Sequence, residues 1–134
     1  MTHVILIADD HAVQRRGLTE YLRTLFPDAR VVEAADGKEA VAAAKRETPA
    51  LVLMDVRMPV MNGIEATRRI KAAMPDTKVV VLTLLDDTPT REAAHAAGAD
   101  GYLVKGRNGT LEQVLRTFLD HGEKVRNGGI QGAP

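Results

Sequence analysis

Residues 51–83 read LVLMDVRMPVMNGIEATRRIKAAMPDTKVVVLT, and the order of types within them decides the fold. Residues 51–54 are aliphatic with no polar alternation, which reads as a strand buried on both faces, and the run closes on Asp55. Met58–Pro59 and Asn62–Gly63 punctuate the loop that follows. Residues 64–73 carry helical spacing, Pro75–Asp76 makes a turn, and 78–83 (KVVVLT) return to the strand type. Two doubly buried strands joined by a helix form a βαβ unit with parallel strands.

The same rhythm runs outward from this unit. Upstream, 4–8 (VILIA) is a strand. A helix follows over 12–25, with Val13, Leu18, Leu22 and Leu25 near helical spacing, and Pro27 stops it. Residues 30–34 are the second strand, Asp36–Gly37 a turn, and 38–46 an alanine-rich helix ended by Thr48–Pro49. Downstream, Thr88–Pro89 opens a helix over 90–97, with Gly98 placed as its left-handed cap. Residues 102–104 are the fifth strand. Asn108–Gly109 precedes a last helix over 111–121, with Leu111, Val114, Leu115 and Phe118 on one stripe. Five such units predict an α/β fold: a five-stranded parallel sheet covered on both faces, with right-handed crossovers. The glycine-rich stretch 126–134 (RNGGIQGAP) has no periodicity. The expected organisation is one domain over 1–122 and a linker or flexible tail over 123–134.

Composition narrows the function. At 134 residues the chain has the size of one domain with a real core. Lys and Arg number 18 and Asp and Glu number 18, so any polyanion-binding surface would be a local patch. The absence of cysteine excludes disulfides, thiol catalysis and cysteine-ligated metal. No signal peptide is recognisable, and the longest apolar runs are of strand length. A cytoplasmic location is expected.

In open α/β sheets, ligands bind beyond the carboxyl ends of the strands. Asp9–Asp10 follows strand one, Asp55 closes strand three, Thr83 closes strand four and Lys105 follows strand five. A lone Asp after a strand is ordinarily a turn former or a helix cap. Four strands delivering reactive groups to one edge argue for a site. Three converging carboxylates repel one another and call for a cation or a held proton. Without cysteine or a histidine pair at metal spacing, the donors are oxygens, which favours Mg²⁺ or Mn²⁺. The ion and the Lys105 ammonium together balance three carboxylates, leaving a site able to accept a phosphoryl dianion. A carboxylate can serve as nucleophile and become an aspartyl phosphate. Phosphoryl transfer needs positioning and charge stabilisation more than acid–base groups. No Ser–His–Asp set, P-loop or GxGxxG is present. His3, His11, His95 and His121 are scattered and read as surface or capping residues.

The stretches ILIADDHAVQRRGL, LVLMDVRMPVMNGIEATRRI, VVVLTLLDD and GADGYLVKG resemble the receiver domains of bacterial two-component response regulators, from about Val4 to Lys105. ADDH, NGIEATRRI and GADGYLVKG look most like receivers joined to a LuxR-type helix-turn-helix domain (NarL/FixJ-like). The resemblance implies a flavodoxin-like doubly wound fold with strand order 2-1-3-4-5. It implies Asp55 as the phosphoacceptor, with Thr83 and Lys105 acting on the phosphoryl group. For Mg²⁺ it implies Asp10 as a direct ligand, Asp9 acting mainly through water, Asp55, and the backbone carbonyl of Arg57. Thr83 and Tyr102 would form the switch, and Met58–Pro59 and Gly63 would shape the loop after the acceptor. The implied partner is a histidine kinase or phosphotransfer protein. The surface of the fourth helix, fifth strand and fifth helix would receive a partner or a second receiver as a homodimer. DNA would be reached only through an output domain outside these residues. The implied chemistry is self-phosphorylation and autodephosphorylation rather than turnover of other substrates.

The sequence also departs from that pattern. Gly106 follows the lysine where proline is common, and a cis bond there would cost ~2.5–4 kcal/mol relative to trans. Leu84 stands where a small residue often follows the threonine, and Arg57 projects near the site; both would alter access to Asp55. Three other readings stand beside the main one. A stand-alone receiver would act by protein contact. A degenerate receiver would only bind partners. A phosphatase of the haloacid-dehalogenase type would need a second acid two residues past its nucleophile, where this chain has Arg57.

Overall fold

The computed structural model describes residues 3–84, 86–106 and 110–127. Strands and helices alternate throughout: β1 (Val4–Ala8), α1 (Ala12–Leu25), β2 (Arg30–Ala34), α2 (Gly37–Glu47), β3 (Leu51–Asp55), α3 (Gly63–Ala73), β4 (Lys78–Thr83), α4 (Thr88–Ala96), β5 (Gly101–Val104) and α5 (Thr110–Asn127). All strand pairs are parallel, and the sheet order is β2-β1-β3-β4-β5, as expected.

The doubly buried strand type has a direct cause. Alternate side chains of each strand enter two separate cores. Leu6, Val52, Met54 and Val79 pack against Ala40, Ala43 and Ala44 of α2 and Ala66 and Ile70 of α3. Ile5, Ile7, Leu51, Leu53 and Val80 pack against Leu22 of α1 and Leu115 and Leu119 of α5. Alanines on α2 let that helix lie close to the sheet. The two phenylalanines, Phe26 and Phe118, are partly buried at the periphery of the second core.

Helices α2, α3 and α4 start earlier than the punctuation suggested, at Gly37, Gly63 and Thr88, and the residue before each start is its cap. Asp36 accepts a hydrogen bond from the amide of Glu39, Asn62 from that of Glu65, and Asp87 from that of Thr90. Each satisfies an amide that the first helical turn leaves unpaired. Gly98 takes a φ of 97°, the left-handed conformation expected of a cap. The Lys105–Gly106 bond is trans, and Gly106 has a φ of 90°.

One boundary needs correction. The last helix runs to Asn127, past the expected end at 121 and into the stretch read as linker. Gly122 costs a helix only ~1 kcal/mol relative to alanine, and Glu, Lys and Arg after it favour helix. Residues 128–134, the rest of the expected tail, lie outside the described residues. Among the described residues, no helix is long and apolar enough to cross a membrane.

The register places the site. Ala8 pairs with Met54 and Asp55 with Leu82. Asp9, Asp55 and Thr83 therefore sit along one carboxyl edge at the centre of the sheet.

Candidate functional site

Asp9 and Asp55 are both buried, while Asp10 is exposed. One carboxylate oxygen from each of Asp9, Asp10 and Asp55, together with a ring nitrogen of His11, can be chosen so that all lie within 4.8 Å of one another. The Lys105 ammonium faces this cluster, 3.4 Å from Asp9 Oδ2 and 3.4 Å from Asp55 Oδ1. Lys105 is carried there by its own backbone, whose amide donates to the Thr83 carbonyl at 2.7 Å.

Burial pushes the Asp55 carboxyl above the usual carboxylate range, and the negative charge of Asp9 adds to the rise. The Lys105 charge and hydrogen bond and the Val56 amide, 2.9 Å from Oδ1, oppose it without cancelling it. Two desolvated carboxylates with one ammonium between them leave excess negative charge. A donor set of carboxylate oxygens suits a hard divalent cation, so the residues fit Mg²⁺.

A cleft of about 230 Å³ opens onto this edge and is lined by Asp55, Thr83, Lys105, Arg57, Leu84, His11, Gln14 and Val56. The site residues expected on the carboxyl edge are thus brought together. Arg57 also lines the neighbouring hollow with Asp10. Leu84 is 67% exposed at the rim, so it borders the entrance rather than filling the core. Tyr102 does not line the cleft. It sits opposite Val81 in the β4–β5 register, two residues from Thr83 on the same face, and its hydroxyl is hydrogen-bonded by the Thr83 side chain. The guanidinium of Arg91 lies over the Tyr102 ring, 4.4 Å from its centroid, and pairs with Asp86.

Three contributors were not expected. His11 occupies the N-cap position of α1 but makes no side-chain cap bond. Its Nδ1 lies 3.1 Å from Asp10 Oδ1 and 3.5 Å from Asp9 Oδ1. Its place directly after two acids was the one available signal. Arg15 donates to the Asp9 carbonyl at 2.6 Å and to Glu33 on β2 at 2.8 Å, bracing the turn that carries the acids. Glu33 also accepts from the Thr19 hydroxyl at 2.9 Å. Burial pushes the Glu33 carboxyl up, but the hydrogen bonds of Arg15 and Thr19 and the charges of Arg16 and Arg15 outweigh it and hold it below the usual range. Gly63 abuts the Asp55 carbonyl; its role in shaping the loop was expected, the closeness was not.

The response regulator receiver domain family model matches residues 5–116 of this chain. The chain belongs to that family. The receiver is 41% identical over 114 residues to the response regulator GacA of Pseudomonas aeruginosa, an alignment covering 85% of this chain and 52% of GacA. It thus spans about half the length of that relative. Among solved structures it is similar to a LuxR-family two-component response regulator from Aurantimonas, with TM-score 0.82, 32% identity, and 90% and 87% of the two chains covered. It is also similar to the receiver domain of a Pseudomonas aeruginosa sensor histidine kinase that has a magnesium ion coordinated in its active-site cleft. There the TM-score is 0.78 at 32% identity, with 88% and 98% of the chains covered. Membership in the receiver family bears out the family resemblance, and the phosphatase alternative is not needed to explain the site.

Proposed function

We propose that this receiver takes a phosphoryl group from a histidine kinase or phosphotransfer protein onto Asp55. The observation that carries the reading is the Lys105 ammonium 3.4 Å from both Asp9 and Asp55 at a cleft on the carboxyl edge. An Asp55 carboxylate oxygen attacks phosphorus. The new O–P bond forms as the bond from phosphorus to the donor nitrogen breaks, and the electron pair leaves with the imidazole. The Val56 amide fixes the carboxylate's orientation. Lys105 meets a phosphoryl oxygen by charge, and the Thr83 hydroxyl donates a hydrogen bond to another.

Asp9, Asp10, Asp55 and the Arg57 carbonyl would hold Mg²⁺, or Mn²⁺. The metal supplies charge neutralisation for the incoming phosphoryl oxygens. Arg57 and Leu84 border the cleft and would govern access of water to the acyl phosphate. The chemistry in this reading is self-phosphorylation and autodephosphorylation.

Output follows from the change at Thr83 and Tyr102, passed to the surface of α4, β5 and α5, where a partner or a second receiver would dock. Similarity to a LuxR-family regulator supports transcription as the output, through a DNA-binding domain outside these residues. A cytoplasmic location belongs to the same reading, as does one folded receiver over 1–122.

The test is labelling by acetyl phosphate with Mg²⁺. The parent should gain a hydroxylamine-sensitive phosphoryl group, and Asp55→Asn should lose it. Labelling of Asp55→Asn at the parental level would refute the assignment.

A further inference from the structure

We propose that His11 is a metal-ligating residue, its Nδ1 adding one nitrogen to an otherwise all-oxygen site and shifting that site's preference from Mg²⁺ toward Mn²⁺ and later first-row ions. The inference rests on the reading of the carboxylate cluster as a metal site.

Four observations carry it. The Nδ1 atom lies 3.1 Å from Asp10 Oδ1 and 3.5 Å from Asp9 Oδ1. The two acids and the imidazole with Asp55 can offer one donor atom each within a sphere of mutual separations of 4.8 Å. Adjacent ligands of an octahedral ion with bonds of about 2.1 Å are about 3.0 Å apart and opposite ligands about 4.2 Å, so small side-chain movements would gather these atoms on one ion. The ring is also turned away from the work its position offers. His11 is the N-cap of α1, yet its side chain accepts no amide from the first turn and faces the carboxylates instead. Its backbone amide donates to Asp9 Oδ1 at 2.8 Å, which anchors the residue beside the acids whatever the ring does.

Nitrogen in the donor set changes the ion that the site selects. Mg²⁺ takes oxygen ligands and keeps several waters, whereas imidazole suits the first-row transition ions, whose affinity rises from Mn²⁺ toward Cu²⁺. An imidazole that displaces one water should therefore leave Mg²⁺ binding nearly unchanged and strengthen Mn²⁺ binding. His11 is 64% exposed in its side chain, so the ring can move onto an ion without opening the core.

The experiment uses the full chain and Mn²⁺ alone. Electron spin-echo envelope modulation of the Mn²⁺-loaded protein should show nitrogen-14 coupling of a directly bound imidazole. His11→Ala should remove that coupling and weaken Mn²⁺ binding, measured by calorimetry, by roughly tenfold or more, while Mg²⁺ affinity stays within about twofold. His11→Asn gives the same result with a residue that suits an N-cap, so loss of the helix start is separated from loss of the ligand. Parental Mn²⁺ spectra without bound nitrogen, together with an unchanged Mn²⁺-to-Mg²⁺ ratio in both variants, would overturn the role of His11 and leave the metal-site reading intact. Failure of the parent to bind either ion, with Asp10→Asn indistinguishable from it, would overturn both.

Discussion

Gly63 and Asp55 are in backbone contact: a Cβ on Gly63 would lie 1.8 Å from the Asp55 carbonyl oxygen. The Gly63 amide in turn donates to the Val56 carbonyl at 2.8 Å. The first residue of α3 is thus pressed against the end of β3, and the loop after Asp55 folds back around that contact. No side chain can be inserted without moving either the helix or the strand that carries Asp55. Gly63→Ala is expected to destabilise the receiver by ~1–3 kcal/mol or more, the usual effect of overpacking a tight site. It should also slow phosphorylation in the fraction that remains folded. Urea unfolding and labelling by acetyl phosphate check the two effects, and a fully stable variant with a parental rate would show that the loop absorbs the methyl group.

Glu33 gives a pH dependence with a definite sign. Its carboxyl is held below the usual range in the fold by Arg15, Thr19 and Arg16, which together exceed the upward push of burial. A group with a depressed folded pKa stabilises the fold above its unfolded value of ~4.3, and that contribution disappears as pH falls through the folded value. Glu33→Gln should therefore cost ~1–2 kcal/mol at pH 7, a range for hydrogen bonds to a partly exposed charge. The difference from the parent should shrink steadily below about pH 4. Thermal or urea unfolding at a series of pH values checks it. A constant difference across that range would show that the ionised form is not what stabilises.

How much of this could be read from residue order has a physical pattern. The doubly buried strands were readable because two cores demand continuous aliphatic runs, as in VILIA and KVVVLT. The carboxyl edge was readable because Asp9, Asp55, Thr83 and Lys105 each fall at or just after a strand end. Contacts that depend on long-range geometry were not. Arg15 meets Glu33 across eighteen residues, from α1 to β2, and neither residue announces its partner. His11 is the exposed N-cap residue of α1, in keeping with its reading as a surface or capping residue; the direction of its ring, toward the acids on its own turn, was not legible. The expected end of the last helix, at 121, falls just before Gly122, and the helix runs through that glycine to Asn127.

Arg91 and Tyr102 would carry a change at Thr83 outward in the proposed switch. Thr83 has one hydroxyl proton, and in this structure its side chain hydrogen-bonds the Tyr102 hydroxyl. A phosphoryl oxygen on Asp55 would draw the Thr83 hydroxyl toward itself and away from Tyr102. Tyr102 would then be held mainly by the Arg91 guanidinium above its ring. An exposed cation–π contact contributes ~0.5–1 kcal/mol, so Arg91→Ala should change the Tyr102 rotamer ratio by about two- to fivefold. Ring carbon NMR signals, recorded with and without beryllofluoride and Mg²⁺, report the ratio. Both the analogue and the substitution should move them. A Tyr102 environment unchanged by the analogue while Thr83 shifts would break the coupling.

Lys105 should matter to the resting fold as well as to the phosphorylated one. Both its partners are buried: Asp9 is 5% exposed and Asp55 8%. Lys105→Ala leaves two desolvated carboxylates without their ammonium. Breaking a fully buried pair costs ~3–5 kcal/mol; Lys105 itself is 20% exposed, so the expected loss is smaller, roughly 1–3 kcal/mol at pH 7 in EDTA. Two further measurements identify the cause. In an Asp55→Asn background one of the two charges is gone, so the same substitution should cost less, and the double-mutant cycle should give a coupling of ~0.5 kcal/mol or more. Saturating Mg²⁺ supplies positive charge to the native cluster and binds the unfolded chain weakly, so it should recover part of the loss. A cost that is the same in EDTA and Mg²⁺, and the same with Asn at 55, would mean that Lys105 stabilises by packing its alkyl chain and that its charge is held for the phosphoryl group alone.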